Sequence, residues 1–124
     1  MIILVDDDAD QRLALRMALE LAGYRVREAA HGAEALRLQR ERSASFLITD
    51  IFMPEADGFE TIEAFRREFP RTRIIAVSGG GQRAKRDYLE SATLMGVDAA
   101  FHKPFEIDKL LATLRVLGAD ERYP

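Results

Sequence analysis

The stretch Phe46-Leu-Ile-Thr-Asp50-Ile-Phe-Met-Pro54 decides how this chain is read. Phe46, Leu47 and Ile48 make the near-continuous apolar run expected of a strand covered on both faces. Pro54 cannot donate to a sheet ladder and keeps the strand from running on. Asp50 is thereby expected at the carboxyl end of a parallel strand, where open α/β sheets hold their ligands. An aspartate there can also simply start a turn. Its chemistry depends on which other residues share the rim.

Working outward, Ile2-Ile-Leu-Val5 reads as a first strand closed by Asp6-Asp-Asp8. A helix is expected from Ala9 to Ala22, with Leu13, Met17 and Leu21 recurring every fourth residue and Leu15 and Leu19 beside them. Gly23 occupies a helix C-terminal position. A more polar strand, Arg25 to Ala29, is broken by His31-Gly32, and a helix from about Ala33 to Glu41 carries Ala35, Leu36 and Leu38. Beyond Pro54, Asp57-Gly58 makes a turn; Phe59, Ile62, Phe65 and Phe69 then mark a helix that Pro70 ends. Arg73 to Ser78 is a fourth strand, followed by Gly79-Gly-Gly81. The spacing of Tyr88, Leu89, Ala92 and Met95 predicts a helix from about Lys85 to Met95. Ala99 to His102 is a fifth strand, cut off by Lys103-Pro104. A last helix runs from about Ile107 to Leu117 with Leu110, Leu111, Leu114 and Leu117 inward.

Strands alternating with helices imply an α/β fold. With right-handed crossovers, five strands suit a doubly wound parallel sheet of order 2-1-3-4-5, the flavodoxin-like (βα)5 arrangement. The polar second strand fits an edge. One domain is expected over 1–124, with its core at about 2–117 and a polar tail at 118–124.

The 124 residues are enough to bury a real core. Apolar residues at 48% and charged residues at 31% are ordinary for a globular protein. A net charge of -3 gives no electrostatic reason for nucleic-acid binding. The absence of cysteine excludes disulfides and thiolate chemistry. No apolar run approaches the roughly 20 residues that span a bilayer. A strand starting directly after Met1 leaves no room for a signal peptide, so a cytoplasmic location is expected.

In the proposed order, Asp6 and Asp7, Asp50, Ser78 and Lys103 end four contiguous strands and share one rim. Singly, each has a plain structural explanation: Asp8 suits a helix cap, Ser78 a turn hydroxyl and Lys103 the surface. Together they describe a site. Clustered carboxylates repel and call for a cation, and hard oxygen ligands on a small scaffold suit Mg²⁺. A metal and an ammonium flanking one carboxylate are what phosphoryl transfer needs. Asp50 is then the candidate nucleophile, and Ser78 with the backbone N–H groups after it, beginning at Gly79, would bind phosphoryl oxygens.

These motifs resemble the receiver domain of two-component response regulators, with Val5-Asp6-Asp7 similar to its acidic pair and Asp50 to its phosphoacceptor. Met53-Pro54 with Asp57-Gly58, Ser78, and Lys103-Pro104-Phe105 complete the likeness over roughly Ile2 to Leu117. The resemblance implies a stand-alone, chemotaxis-regulator-like switch whose only catalysis is its own phosphorylation and dephosphorylation. It implies that Asp7 and Asp50 bind Mg²⁺ directly, Asp6 mainly through water, and the Phe52 carbonyl as a further ligand. It also implies a cis Lys103–Pro104 bond. The implied partners are a histidine kinase or histidine phosphotransfer protein upstream and an unidentified protein downstream, with the domain a monomer or weak dimer. The output face would combine the helix at 85–95, the fifth strand and the last helix.

Three departures stand out. The family's usual switch aromatic is replaced by Ala100, while Phe101 should point to the opposite face and Tyr88 is a possible substitute. The Gly79-Gly-Gly81 loop is pliable, and Phe52 is bulky. A rival reading is a haloacid-dehalogenase-type phosphatase with Asp6 as nucleophile and Asp8 as general acid/base. It lacks the Gly-Thr expected where Ala9-Asp10 stands, and it leaves Asp50 unexplained. Gly79-Gly-Gly-Gln-Arg-Ala84 matches a dinucleotide-binding pattern only weakly, after the wrong strand. His31 and His102 have no ligand partners at helical spacing.

Overall fold

The computed structural model describes residues 1–51, 58–79, 93 and 95–118. Strands β1 (Ile2–Val5), β2 (Val26–Ala29), β3 (Phe46–Asp50), β4 (Arg73–Ser78) and β5 (Ala99–His102) form one sheet. Its order is β2-β1-β3-β4-β5, and all pairs are parallel. The described helices are α1 (Ala9–Leu21), α2 (Gly32–Glu41), α3 (Gly58–Glu68) and α4 (Ile107–Leu117). Most of the helix predicted over 85–95 lies outside the described residues, as do Phe52, Met53, Pro54 and Asp57.

Alternation along the strands divides the apolar side chains between two layers. Ile3, Val5, Leu47, Ile74 and Ala76 pack with Ala35 and Leu38 of α2 and Ile62 and Phe65 of α3. Ile2, Leu4, Phe46, Ile48, Ile75 and Val77 pack with Leu19 of α1 and Leu110 and Leu114 of α4. Each large side chain so buried contributes roughly 1.5–3 kcal/mol. The sheet is thus clamped from both sides, and its carboxyl rim is a firm platform.

Helix α1 carries two apolar rows, and the structure buries only one. Leu19 is fully buried and Leu15 packs beside it, whereas Leu13, Met17 and Leu21 are 51%, 57% and 89% exposed. Burial of Leu19 sets this rotation, and the same turn of the helix places Arg12 Nε and Arg16 Nη1 each 2.7 Å from the Glu28 carboxylate on β2, with the Leu13 row outward. On α4, Leu110 and Leu114 are buried, while Leu111 and Leu117 pack at the margin.

Local chemistry sets the ends. Asp8 caps α1, its carboxylate accepting from the N–H groups of Asp10 at 3.0 Å and Gln11 at 3.2 Å. Gly23 closes that helix at φ 97°, a conformation that suits glycine. His31 caps α2 through Nδ1, which accepts from the Glu34 N–H at 3.2 Å. At the start of α3, the backbone of Gly58 lies directly on the end of β3. A Cβ there would sit 2.6 Å from the Asp50 carbonyl oxygen and collide with the Ile51 Cα.

Candidate functional site

Sheet register assembles the site. Val5 pairs with Thr49, Asp50 with Val77, and Ser78 with His102, so the residues that end β1, β3, β4 and β5 lie along one edge. Lys103 follows β5, and its backbone N–H donates to the Ser78 carbonyl at 2.8 Å. The Lys103–Pro104 bond is cis, as the family resemblance implied. The lysine stem passes close over Gly79, where a Cβ would stand 3.1 Å from Lys103 Cδ. A side chain at position 79 would crowd the lysine.

The Lys103 ammonium donates to Asp6 Oδ2 at 2.9 Å, Asp50 Oδ2 at 2.9 Å and Gln11 Oε1 at 2.7 Å. Asp6 and Asp50 are buried at 6% and 7% exposure, while Asp7 faces solvent. One carboxylate oxygen from each of Asp6, Asp7 and Asp50 falls within a set whose members are all within 4.8 Å of one another. Clustered carboxylate oxygens are the donor type that suits a small hard cation. Burial alone would lower the lysine pKa. Hydrogen bonds and charge from Asp6 and Asp50 outweigh that effect and hold it above its ordinary value.

The acidic loop is braced from behind. Asp6 Oδ1 accepts from the Asp8 N–H at 2.9 Å, and Arg12 Nη1 donates to the Asp6 carbonyl at 2.6 Å. Hydrogen bonds from Arg16 and then Arg12 hold the Glu28 carboxyl below its usual range. A groove of about 880 Å³ leads from Asp6, Asp50 and Lys103 along Ala14 and Ala18 of α1 to Phe105 and Ile107.

Of the residues expected from sequence, Asp6, Asp7, Asp50 and Lys103 meet in one hollow that Gly79 also lines, and Ser78 ends the neighbouring strand β4. Ser78 is fully buried, and its Oγ has no hydrogen-bond partner among the described residues. Phe52, Gly80, Gly81 and Tyr88 fall outside the described residues. Ala100 packs with the layer beneath α2 and α3, and Phe101 faces the other layer, its ring centroid 5.5 Å from that of Phe105. His31 is a helix cap and His102 is exposed, so neither joins the hollow. Asp8, the general acid/base of the phosphatase reading, is engaged as the α1 cap, and Asp50 is integral to the cluster; that reading is not favoured. Sequence reasoning missed Gln11 and Arg12. Both are polar residues on the first turns of a helix that follows an acidic run, and that was the signal available.

The family model described as the response regulator receiver domain matches residues 2–115. The transcriptional regulatory protein PrrA of Mycobacterium tuberculosis is 32% identical over 116 residues, covering 94% of this chain and 48% of PrrA. The sensor protein EvgS of Escherichia coli is 33% identical over 116 residues, covering 94% of this chain and 9% of EvgS. The chain therefore spans about half of one relative and a small part of the other. Among solved structures, the receiver domain protein from Clostridium thermocellum superposes with a TM-score of 0.88 at 24% identity, covering 98% of this chain and 95% of that one. The chemotaxis response regulator CheY4 of Vibrio cholerae gives 0.80 at 29% identity, covering 94% and 96% respectively. With the sheet order and the acidic hollow in agreement, the chain belongs to the response regulator receiver domain family.

Proposed function

We propose that this receiver domain is a phosphorylation-dependent switch that accepts a phosphoryl group on Asp50 from a phosphohistidine of a histidine kinase or phosphotransfer protein. One observation carries the reading: the Asp50 carboxylate lies 2.9 Å from a fixed ammonium and within 4.8 Å of two further carboxylates. An Asp50 oxygen attacks phosphorus, the N–P bond of the donor breaks, and its electron pair returns to the imidazole nitrogen. Lys103 stabilises charge on the transferring oxygens. Ser78 Oγ and the Gly79 N–H are the donors assigned to the phosphoryl group.

The donor set of Asp6, Asp7 and Asp50 fits Mg²⁺, with the Phe52 carbonyl as the remaining protein ligand. When bound, the ion would supply charge neutralisation at Asp50 beyond what the lysine alone provides. The chemistry is confined to the domain's own phosphorylation and dephosphorylation. In this reading the protein is cytoplasmic and monomeric or weakly dimeric. Its output passes to a protein partner through the face comprising residues 85–95, β5 and α4. Movement of Ser78 and its glycine loop would alter that face, with Ala100 leaving space where the family usually has an aromatic ring.

The test is transfer from a phosphohistidine donor to the wild type and to Asp50→Asn. Stoichiometric, acid-stable but base-labile label on the wild type and none on the variant is expected. Label persisting on Asp50→Asn would refute the assignment.

A further inference from the structure

The Gln11 side chain reaches the hollow from α1, and neither composition nor motif marked it. Its Oε1 accepts from Lys103 Nζ at 2.7 Å, beside the two carboxylates at 2.9 Å. An ammonium has three N–H donors, and at least three acceptors already surround this one among the described residues. A phosphoryl oxygen arriving at Asp50 is a further acceptor, so one of those present must yield. Asp6 and Asp50 attract the ammonium as full charges and are buried. Gln11 is neutral and exposed, and is the weakest of the three.

We propose that Gln11 is a positioning residue for phosphoryl transfer: a neutral latch that holds the Lys103 ammonium in the resting site and gives way when a phosphoryl oxygen arrives. The inference rests on the assignment of Asp50 as phosphoacceptor. Neutrality is the essential property. A carboxylate at position 11 would add a third ion pair to the lysine and repel the incoming dianion, whereas a side chain of the same length without an acceptor would release one N–H of the ammonium, which stays paired with Asp6 and Asp50.

Gln11→Glu and Gln11→Met separate these effects. Both residues favour helix, and the position is exposed, so a purely structural role predicts like behaviour from the pair. With acetyl phosphate as donor, the Asp50 carboxylate forms its O–P bond as acetate leaves. The phosphorylation rate should fall roughly tenfold in Gln11→Glu and rise a few-fold in Gln11→Met, the scale of one hydrogen bond to a charged group. Independently of phosphorylation, the Lys103 Nζ–H correlation should be visible by NMR in the unphosphorylated wild type and in Gln11→Glu. It should broaden or vanish in Gln11→Met as the ammonium exchanges with solvent. Equal rates in all three proteins, or slowing in both variants, would overturn the latch while leaving Asp50 as acceptor. An unlabelled wild type would instead overturn the function on which the latch rests.

Discussion

Replacing Lys103 by Met keeps an apolar stem over Gly79 but removes the positive charge that faces Asp6 and Asp50. The two carboxylates, at 6% and 7% exposure, are then left opposite each other and the nearby Asp7 with that counter-charge gone. Removing one partner from a fully buried ion pair costs about 3–5 kcal/mol. The lysine side chain is 21% exposed, so the low end, about 3 kcal/mol, applies here. For a domain of this size the loss corresponds to a melting-temperature drop of roughly 10 °C. Urea denaturation of wild type and Lys103→Met, in EDTA and in saturating MgCl₂, measures it. In EDTA the variant should lose about 3 kcal/mol. Magnesium should then restore more stability to the variant than it adds to the wild type, because the ion no longer competes with an ammonium for the same oxygens. Identical midpoints in EDTA, or equal increments from magnesium, would refute the electrostatic account of the hollow.

Two further outcomes follow from the surrounding fold. Gly58→Ala drives a methyl group into the Asp50 carbonyl and the Ile51 backbone; it should cost about 1–3 kcal/mol in urea denaturation and slow labelling of Asp50 by moving the end of β3. Glu28→Gln should cost roughly 1 kcal/mol at pH 7, a modest figure because that side chain is 22% exposed. The Glu28 pKa is lower folded than unfolded, so its contribution is complete above the ordinary value of 4.5 and is lost as pH falls through the depressed one. The stability gap between wild type and Glu28→Gln should therefore close in acid, and a gap constant down to about pH 3 would contradict the pairing.

Much of the molecule was legible in its sequence because burial on both sheet faces leaves uninterrupted apolar runs. Phe46 to Ile48 and Arg73 to Ser78 mark their own strands, and the carboxylates follow from where those runs stop. Helix α1 shows where such reasoning fails. Two rows at four-residue spacing satisfy the same periodicity, and the choice between them rests on partners from other elements: the sheet layer that receives Leu19 and the Glu28 carboxylate that meets Arg12 and Arg16. Gln11 was hidden for a related reason. Its importance lies in a contact with Lys103, 92 residues away, and no local pattern encodes that meeting. Asp8, by contrast, was correctly read as a cap, because its partners are its immediate successors.

The bonds from Lys103 cross 97 residues to Asp6 and 53 to Asp50. Contacts of such separation form only after the intervening chain has been organised. During synthesis the three carboxylates can gather once β1 and β3 are paired, but their counter-charge emerges last, behind β5. A half-made copy thus carries a bare acidic cluster, and the arrival of the lysine closes both the sheet and the charge balance. The finished hollow is in that sense a record of how far the chain has been made: no ribosomal product that stops short of Lys103 can assemble it.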